Sequence, residues 1–246
     1  MAEQLDPQNQ QRTGFGTATR TDDAVAVDAG LRSHMLKVYN YMASGVLLTG
    51  IVAMLFARTE FAQQLYLNPG PMGMIIALAP LAYILVAWFG LHKMSEAALH
   101  VFYWSFAVVM GLSLARIFMY FSGESIAQTF FATSIAFFSL SLWGYTTKKN
   151  LSGWFNFLFM GVVGVFVAIL INWWLQSPTL HYVISAIGVL VFAGLTAYDT
   201  QRIKSEYFML RGTALLGKAA IMGAFGLYLD FVNMFQFLLS FMGSSD

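Results

Sequence analysis

The sequence contains no cysteine and few charged residues. The absence of cysteine among its 246 residues excludes disulfides, thiolate catalysis and cysteine-based metal sites. Charged residues make up only 10% of the chain, whereas soluble domains contain about 25%. The formal net charge of +1 also argues against binding to nucleic acid, which requires a basic excess. These absences direct attention to the apolar residues that remain.

Apolar residues make up 58% of the chain and occur in continuous blocks rather than in amphipathic stripes. A helix needs about 20 such residues to cross the hydrocarbon core of a bilayer. The sequence therefore predicts an all-α membrane protein with seven transmembrane helices. The seven blocks run roughly over Val38–Ala57, Met72–Leu91, Ala98–Tyr120, Ile126–Tyr145, Trp154–Leu175, Leu180–Ile203 and Ala219–Met242. The residues Gln176–Thr179 are expected to form a very short turn between blocks five and six.

The distribution of basic residues predicts how the helices are oriented. Lysine and arginine are enriched in the cytoplasmic loops of membrane proteins. If the N-terminus lies inside, every basic residue except Arg58 and Arg116 falls in the N-terminal segment or in an inside loop. We therefore expect the N-terminus to lie in the cytoplasm and the C-terminus to lie outside.

The N-terminal segment differs in composition from the rest of the chain. Residues 1–33 are polar and lack the apolar core of a signal peptide. Their composition predicts a disordered cytoplasmic tail. The domain boundaries that follow are 1–33 for this tail and 34–246 for the seven-span domain.

Two acidic residues, Asp199 and Asp230, lie in the last two apolar blocks. An aspartate at the centre of a bilayer costs roughly 2.5–3.5 kcal/mol on insertion scales, and such residues often mark ion or proton pathways. The predicted topology places both on neighbouring antiparallel helices in the inner half of the membrane. If the carboxylates meet, they repel, so that one holds a proton or both share a cation.

A structural explanation of the same two residues stays open at this stage. Asp199 could be an interfacial charge that pairs with Arg202 three residues later. Asp230 could be a single polar contact between helices. Spacing alone does not decide between these interpretations and an ion pathway.

The residues around the aspartates resemble a known family. The triplet Asp199-Thr200-Gln201 ends block six, and the pattern Leu229-Asp230-Phe231 lies in block seven. Together with the segment Gly144-Tyr145-Thr146-Thr147-Lys148-Lys149, they are similar to the Bax inhibitor-1 family, also called the transmembrane Bax inhibitor motif family, in its bacterial branch. The resemblance covers about Leu31 to Gly243.

This resemblance implies a fold in which a central seventh span is wrapped by the other six. It also implies that Asp199 and Asp230 form a pH-sensitive pair that lines a calcium path, with calcium and protons as ligands and no resident cofactor. In the family, an arginine of the second span acts as a latch, pairing with the aspartates in a closed state. The block Met72–Leu91 contains no arginine. Arg116, in the third block, is one candidate latch, and Arg202 and Tyr198 are candidate neighbours of the pair.

The function expected from this resemblance is a pH-sensitive calcium leak channel of the bacterial inner membrane, not an enzyme. One alternative is a non-conducting regulator of membrane-protein quality control that binds a membrane protease, with the N-terminal tail as a docking segment. Another is an intramembrane aspartyl protease, because Tyr198-Asp199 matches the first catalytic motif of that class. The second motif, Gly-x-Gly-Asp, is missing, since Asp230 follows Leu227-Tyr228-Leu229.

Overall fold

The structure, a computed structural model, describes residues 15–67 and 70–243, with side chains from Ala29 onward except those of Leu67, Trp88 and His92. Within these ranges the regular elements are nine α-helices and two short 3₁₀ turns. The helices are α1 (Phe15–Ala57), α2 (Glu60–Leu67), α3 (Pro71–Gly90), α4 (Glu96–Leu114), α5 (Ile117–Tyr120), α6 (Gly123–Thr146), α7 (Phe155–Leu175), α8 (Pro178–Leu210) and α9 (Leu216–Met242).

Six spans of the described chain are long and apolar enough to cross a membrane. They are α1 from Ala29 onward, α4 with α5, α6, α7 with the turn before it, α8, and α9. The pair α2 and α3, bent by 93°, adds a seventh only if it forms one broken span. The all-helical membrane class is therefore confirmed, whereas the count of seven spans and the orientation stay predictions.

The first helix begins earlier than the sequence suggested. Residues 1–33 were expected to form a disordered tail, but α1 starts at Phe15, and residues 1–14 lie outside the described residues. Leu31, Met35 and Val38 are buried in the core. Their spacing of four and then three residues places them on one helical face, so this apolar stripe extends α1 into the segment that composition alone marked as polar.

Hydroxyl caps and one tight turn determine where the later helices begin. The side chains of Ser95, Ser122 and Ser177 each accept a hydrogen bond from a backbone N–H in the first turn of α4, α6 and α8, as serine does at helix N-termini. Between α7 and α8, Gln176 adopts a left-handed conformation with φ of 49°, and Pro178 is the first residue of α8. The predicted short turn between blocks five and six is confirmed.

The last helix, α9, lies at the centre of the bundle, but not all helices wrap it. It packs mainly against α8 and also against α1, α4 and α6. By contrast, α3 packs mainly on α4, and α7 packs mainly on α8. The resemblance implied that six helices surround the central one; in the described part of the chain its main neighbours are α1, α4, α6 and α8, and α3 and α7 pack mainly on other helices.

Small residues allow α6 and α8 to approach closely. A Cβ atom built on Gly144 would lie 2.3 Å from the backbone carbonyl oxygen of Ala197. A backbone atom cannot rotate away as a flexible side chain can. The two helices must therefore separate if residue Gly144 is replaced by one with a side chain.

We expect Gly144→Ala to destabilise the protein by roughly 1–3 kcal/mol, which is the usual cost of overpacking a core. The measurement is the thermal unfolding midpoint in detergent. Gly164→Ala is the matched control, because a Cβ on Gly164 meets no atom within 4 Å. Equal midpoints for the two variants would contradict the close contact of α6 and α8.

Candidate functional site

The two aspartates lie on facing helices. Asp199 belongs to α8 and Asp230 to the middle of α9, and they are 7% and 4% exposed. A Cβ atom built on Gly226, one turn before Asp230, would lie 2.7 Å from Asp199 Oδ2. The charge of Asp199 also acts on Asp230. The structure therefore brings together the two residues that the sequence singled out, and we call them the aspartate pair.

Arg202 is the cation that contacts this pair. Its Nη1 lies 3.2 Å from Asp199 Oδ1, and its Nη2 donates a hydrogen bond of 3.3 Å to Asp199 Oδ2. Such two-point contacts between guanidinium and carboxylate are among the stronger polar interactions in proteins. Arg202 Nε also lies 3.5 Å from Glu206 Oε1, and the guanidinium lies 5.9 Å from the ring centre of Tyr198.

The contact between Asp199 and Arg202 is the one that the structural explanation required. Within the bundle, Asp199 is buried by protein, whereas the Arg202 side chain is 36% exposed. The ion pair thus joins a buried carboxylate to an arginine that reaches the surface of the bundle. Arg202 can leave the pair without crossing the core.

Asp230 is less well satisfied than Asp199. Its Oδ2 atom is buried and has no hydrogen-bond partner among the residues that the structure describes. The charges of Asp199 and Arg202 both act on Asp230. Arg202 forms no direct ion pair with Asp230 among the described residues. Burying a carboxylate oxygen without a partner is costly, so this position favours a proton or a cation.

A group of three hydroxyls adjoins Asp199. The Thr200 hydroxyl lies 2.8 Å from Ser141 Oγ, and Ser141 shares a second hydrogen bond with the Tyr39 hydroxyl. These contacts join α1, α6 and α8 at the residue next to the buried aspartate. The sequence analysis missed Tyr39 and Ser141, because their positions in the chain carry no signal that links them to Thr200.

The third member of the motif, Gln201, holds the connection between α6 and α7. Its Oε1 accepts a hydrogen bond of 2.7 Å from the N–H of Leu151, and its Nε2 donates one of 2.8 Å to the carbonyl of Lys149. Lys204 donates to the carbonyl of Tyr145 at 2.8 Å. These contacts of Gln201 and Lys204 attach α8 to the end of α6 and to the connection that follows it. They therefore help to fix the position of α8, on which Asp199 lies.

Arg116, the candidate latch, does not lie at the aspartate pair. It is exposed at the break between α4 and α5 and lines a cavity with Gln236, Leu239 and Ser240. Gln236 follows Asp230 by six residues, or about 9 Å along the helix. The contacts do not support Arg116 as the latch, because Arg116 lies between α4 and α5, whereas Arg202 contacts Asp199 directly.

The two carboxylates of the pair could supply only part of the oxygen ligands of a calcium ion. Among the described residues, no three histidine, aspartate or glutamate side chains come together as ligands. Calcium takes six to eight oxygen ligands, so an ion at the pair would also need backbone carbonyls and water.

The fold and the site define a multi-pass, all-helical membrane protein with two carboxylates in its core. Comparison with known sequences gives the family. The profile described as "Inhibitor of apoptosis-promoting Bax1" matches residues 31–246. The chain therefore belongs to the Bax inhibitor-1 family.

Several bacterial proteins are similar over almost the whole chain. An uncharacterized protein of Caulobacter vibrioides is 40% identical, over 96% of this chain and 99% of its own length. An uncharacterized protein of Rickettsia prowazekii is 41% identical, over 93% and 96% respectively. The inner membrane protein YbhL of Escherichia coli K12 is 40% identical, over 92% and 97%.

Gly226 is a residue of this site that the sequence did not single out, and its place beside Asp199 appears only in the structure. We expect Gly226→Ala to leave the thermal unfolding midpoint nearly unchanged, because the new methyl group meets only the movable ends of Asp199 and Arg202. It should nevertheless displace Asp199 from α9 and alter ion movement through the protein. The measurements are the midpoint and ion flux in liposomes, compared with Gly50→Ala, whose Cβ meets no atom within 4 Å. Unchanged flux would contradict a role for this contact.

Proposed function

We propose that this protein is a pH-sensitive calcium leak channel of the bacterial inner membrane, gated by protonation of the aspartate pair. The observation that carries the proposal is the buried Asp230 oxygen without a hydrogen-bond partner among the described residues, facing a second buried carboxylate. A purely structural aspartate would be expected to have its oxygens satisfied. An unsatisfied one is ready to bind a proton or a cation.

The charges around the pair give the direction of gating. With Asp199 and Asp230 both ionised, Arg202 cancels one of two negative charges, and Glu206 adds another on its far side. The group is then net negative and attracts a cation. One proton shared by the pair reduces that excess from two negative charges to one, so that cation entry weakens as the pH falls. The titration belongs to the pair rather than to either residue.

In this proposal Arg202 takes the role of the missing second-span arginine. It lies in bidentate contact with Asp199 and is partly exposed, so it can exchange Asp199 for Glu206 or for solvent. A calcium ion that enters the pair competes with the guanidinium for the same carboxylate. The closed state is then the ion-paired state.

The membrane arrangement proposed with this function has seven spans, the N-terminus inside and α2 with α3 as one broken crossing. The apolar length of α3 and the distribution of basic residues support this arrangement. The name of the similar E. coli protein, which places that protein in the inner membrane, supports the location.

The two alternative functions gain no specific support. Docking of a membrane protease was linked to the N-terminal tail, and residues 1–14 of that tail lie outside the described residues. Aspartyl proteolysis needs two carboxylates that share a catalytic water, whereas Asp199 is held by Arg202 at two points.

Replacing either aspartate tests the proposed function. We expect Asp199→Asn and Asp230→Asn to lower calcium flux into liposomes by about tenfold at high pH, which corresponds to a loss of about 1.4 kcal/mol. Both should also flatten the rise of flux with pH, because the titrating pair is gone. Glu124→Gln, at an exposed position near the start of α6, is the matched loss of one acid. If neither aspartate variant changes the pH profile, the proposal is wrong.

Replacing Arg202 tests the closed state separately. We expect Arg202→Gln to raise calcium flux at neutral pH, because the pair loses its competing cation. Lys204→Gln is the control, since Lys204 is basic and near in sequence but bonds to the Tyr145 carbonyl. A fall in flux for Arg202→Gln, with the protein still folded, would mean that Arg202 does not compete with the ion.

A further inference from the structure

A cavity of about 250 Å³, lined by apolar as well as polar side chains, lies between α7, α8 and α9. Three helices contribute to it near the turn that joins α7 to α8 and near the C-terminal end of α9. Its polar lining residues are Asn172, His181, Ser185, Asn233, Gln236 and Ser240. In helices composed mostly of apolar residues, polar side chains that converge on one space mark a pathway for ions or substrate.

The wall supplied by α9 continues the line of the aspartate pair. Asn233, Gln236 and Ser240 follow Asp230 by three, six and ten residues. At 3.6 residues per turn, these positions lie within one third of the helix circumference, on one side of α9. The cavity therefore begins about one turn from Asp230 and extends from there toward the end of the helix.

The opposite wall comes from α8 and α7. Ser185 and His181 are four residues apart on α8, and the Ser185 hydroxyl donates to the His181 carbonyl at 2.9 Å. On the α7 side, Asn172 Oδ1 accepts a hydrogen bond of 3.1 Å from the N–H of Ser177. Asn233 donates its amide to the carbonyl of Leu229 at 2.8 Å, which leaves its side-chain oxygen available as an acceptor.

The size and chemistry of the cavity suit a hydrated cation. One water occupies about 30 Å³ in the liquid, so a cavity of about 250 Å³ has room for several waters. The lining offers amide and hydroxyl oxygens and no carboxylate. Neutral oxygens replace part of a hydration shell without holding the ion tightly, and conduction requires sites weak enough for the ion to leave.

We propose that this cavity is a water-filled entry vestibule through which a hydrated divalent cation reaches Asp230. The proposal rests on the proposed function, because it assigns the route to the same aspartate pair. In this proposal the ion first meets the residues that line the cavity. It enters from the end of the bundle at which α7 is joined to α8.

The native chain contains no cysteine, so single cysteines can report water access directly. We would label the variants Ser185→Cys, Asn233→Cys and Gln236→Cys in liposomes with calcium and with a charged, membrane-impermeant thiol reagent. Thr179→Cys, exposed in the first turn of α8, is the positive control. Leu190→Cys is the negative control, because Leu190 is 71% exposed on the apolar outer surface of α8 and a thiol in apolar surroundings stays protonated and unreactive.

We expect the three cavity variants to react about tenfold or more faster than Leu190→Cys, because only the thiolate is reactive. Labelling should occur from the same side as for Thr179→Cys, and the bulky adduct on Gln236→Cys should reduce calcium flux. Failure of all three folded variants to react would overturn the vestibule, whatever the aspartate variants do. Reaction without any change in flux would also overturn it, because the cavity would then lie off the route.

The proposed function fails on a different result, namely an unchanged pH profile in the Asp199→Asn and Asp230→Asn variants. The two failures are therefore distinguishable. If the aspartate variants lose the pH profile but the cavity cysteines are not labelled, the pair still gates the flux. The ion then reaches the pair by a route other than this cavity.

Discussion

The close antiparallel packing of α8 against α9 is the constraint on which the rest of the structure depends. Gly223 helps to make this packing possible, since a Cβ there would lie 2.9 Å from the Ile203 side chain, and Gly226 leaves room beside α9 for the carboxylate of Asp199. Small residues at helix interfaces let backbones approach in membranes, where lipid supplies no hydrophobic force between helices. The same approach that stabilises the bundle brings the two carboxylates together.

That arrangement carries an electrostatic cost. Two buried acids with one arginine leave a negative excess in a medium of low dielectric constant, and buried ion pairs seldom repay their desolvation. A bundle selected for stability alone would use apolar residues at these positions. Binding of a cation or a proton at the pair would offset this electrostatic cost, because it neutralises part of the negative excess.

The surrounding contacts show how one short motif serves both structure and site. Asp199 faces α9, Thr200 bonds to α6 through Ser141, and Gln201 binds the connection between α6 and α7. Three consecutive residues of a helix point in three directions about 100° apart. The structural contacts of Thr200 and Gln201 therefore fix the rotation of α8, and with it the direction in which Asp199 points.

The sequence by itself determined the class of protein, the apolar blocks, the turn at Gln176, and the two aspartates as costly residues in apolar helices. These features follow from local composition, because transfer into a bilayer depends on each residue and its near neighbours in the chain. Tertiary structure alone decided that Arg116 lines a cavity away from the pair, and that Asp230 Oδ2 has no hydrogen-bond partner among the described residues. Tertiary structure also places Tyr39 beside Ser141, about a hundred residues away, and forms the cavity between α7, α8 and α9. Helical periodicity shows which residues share a face, but only packing decides which helix that face meets.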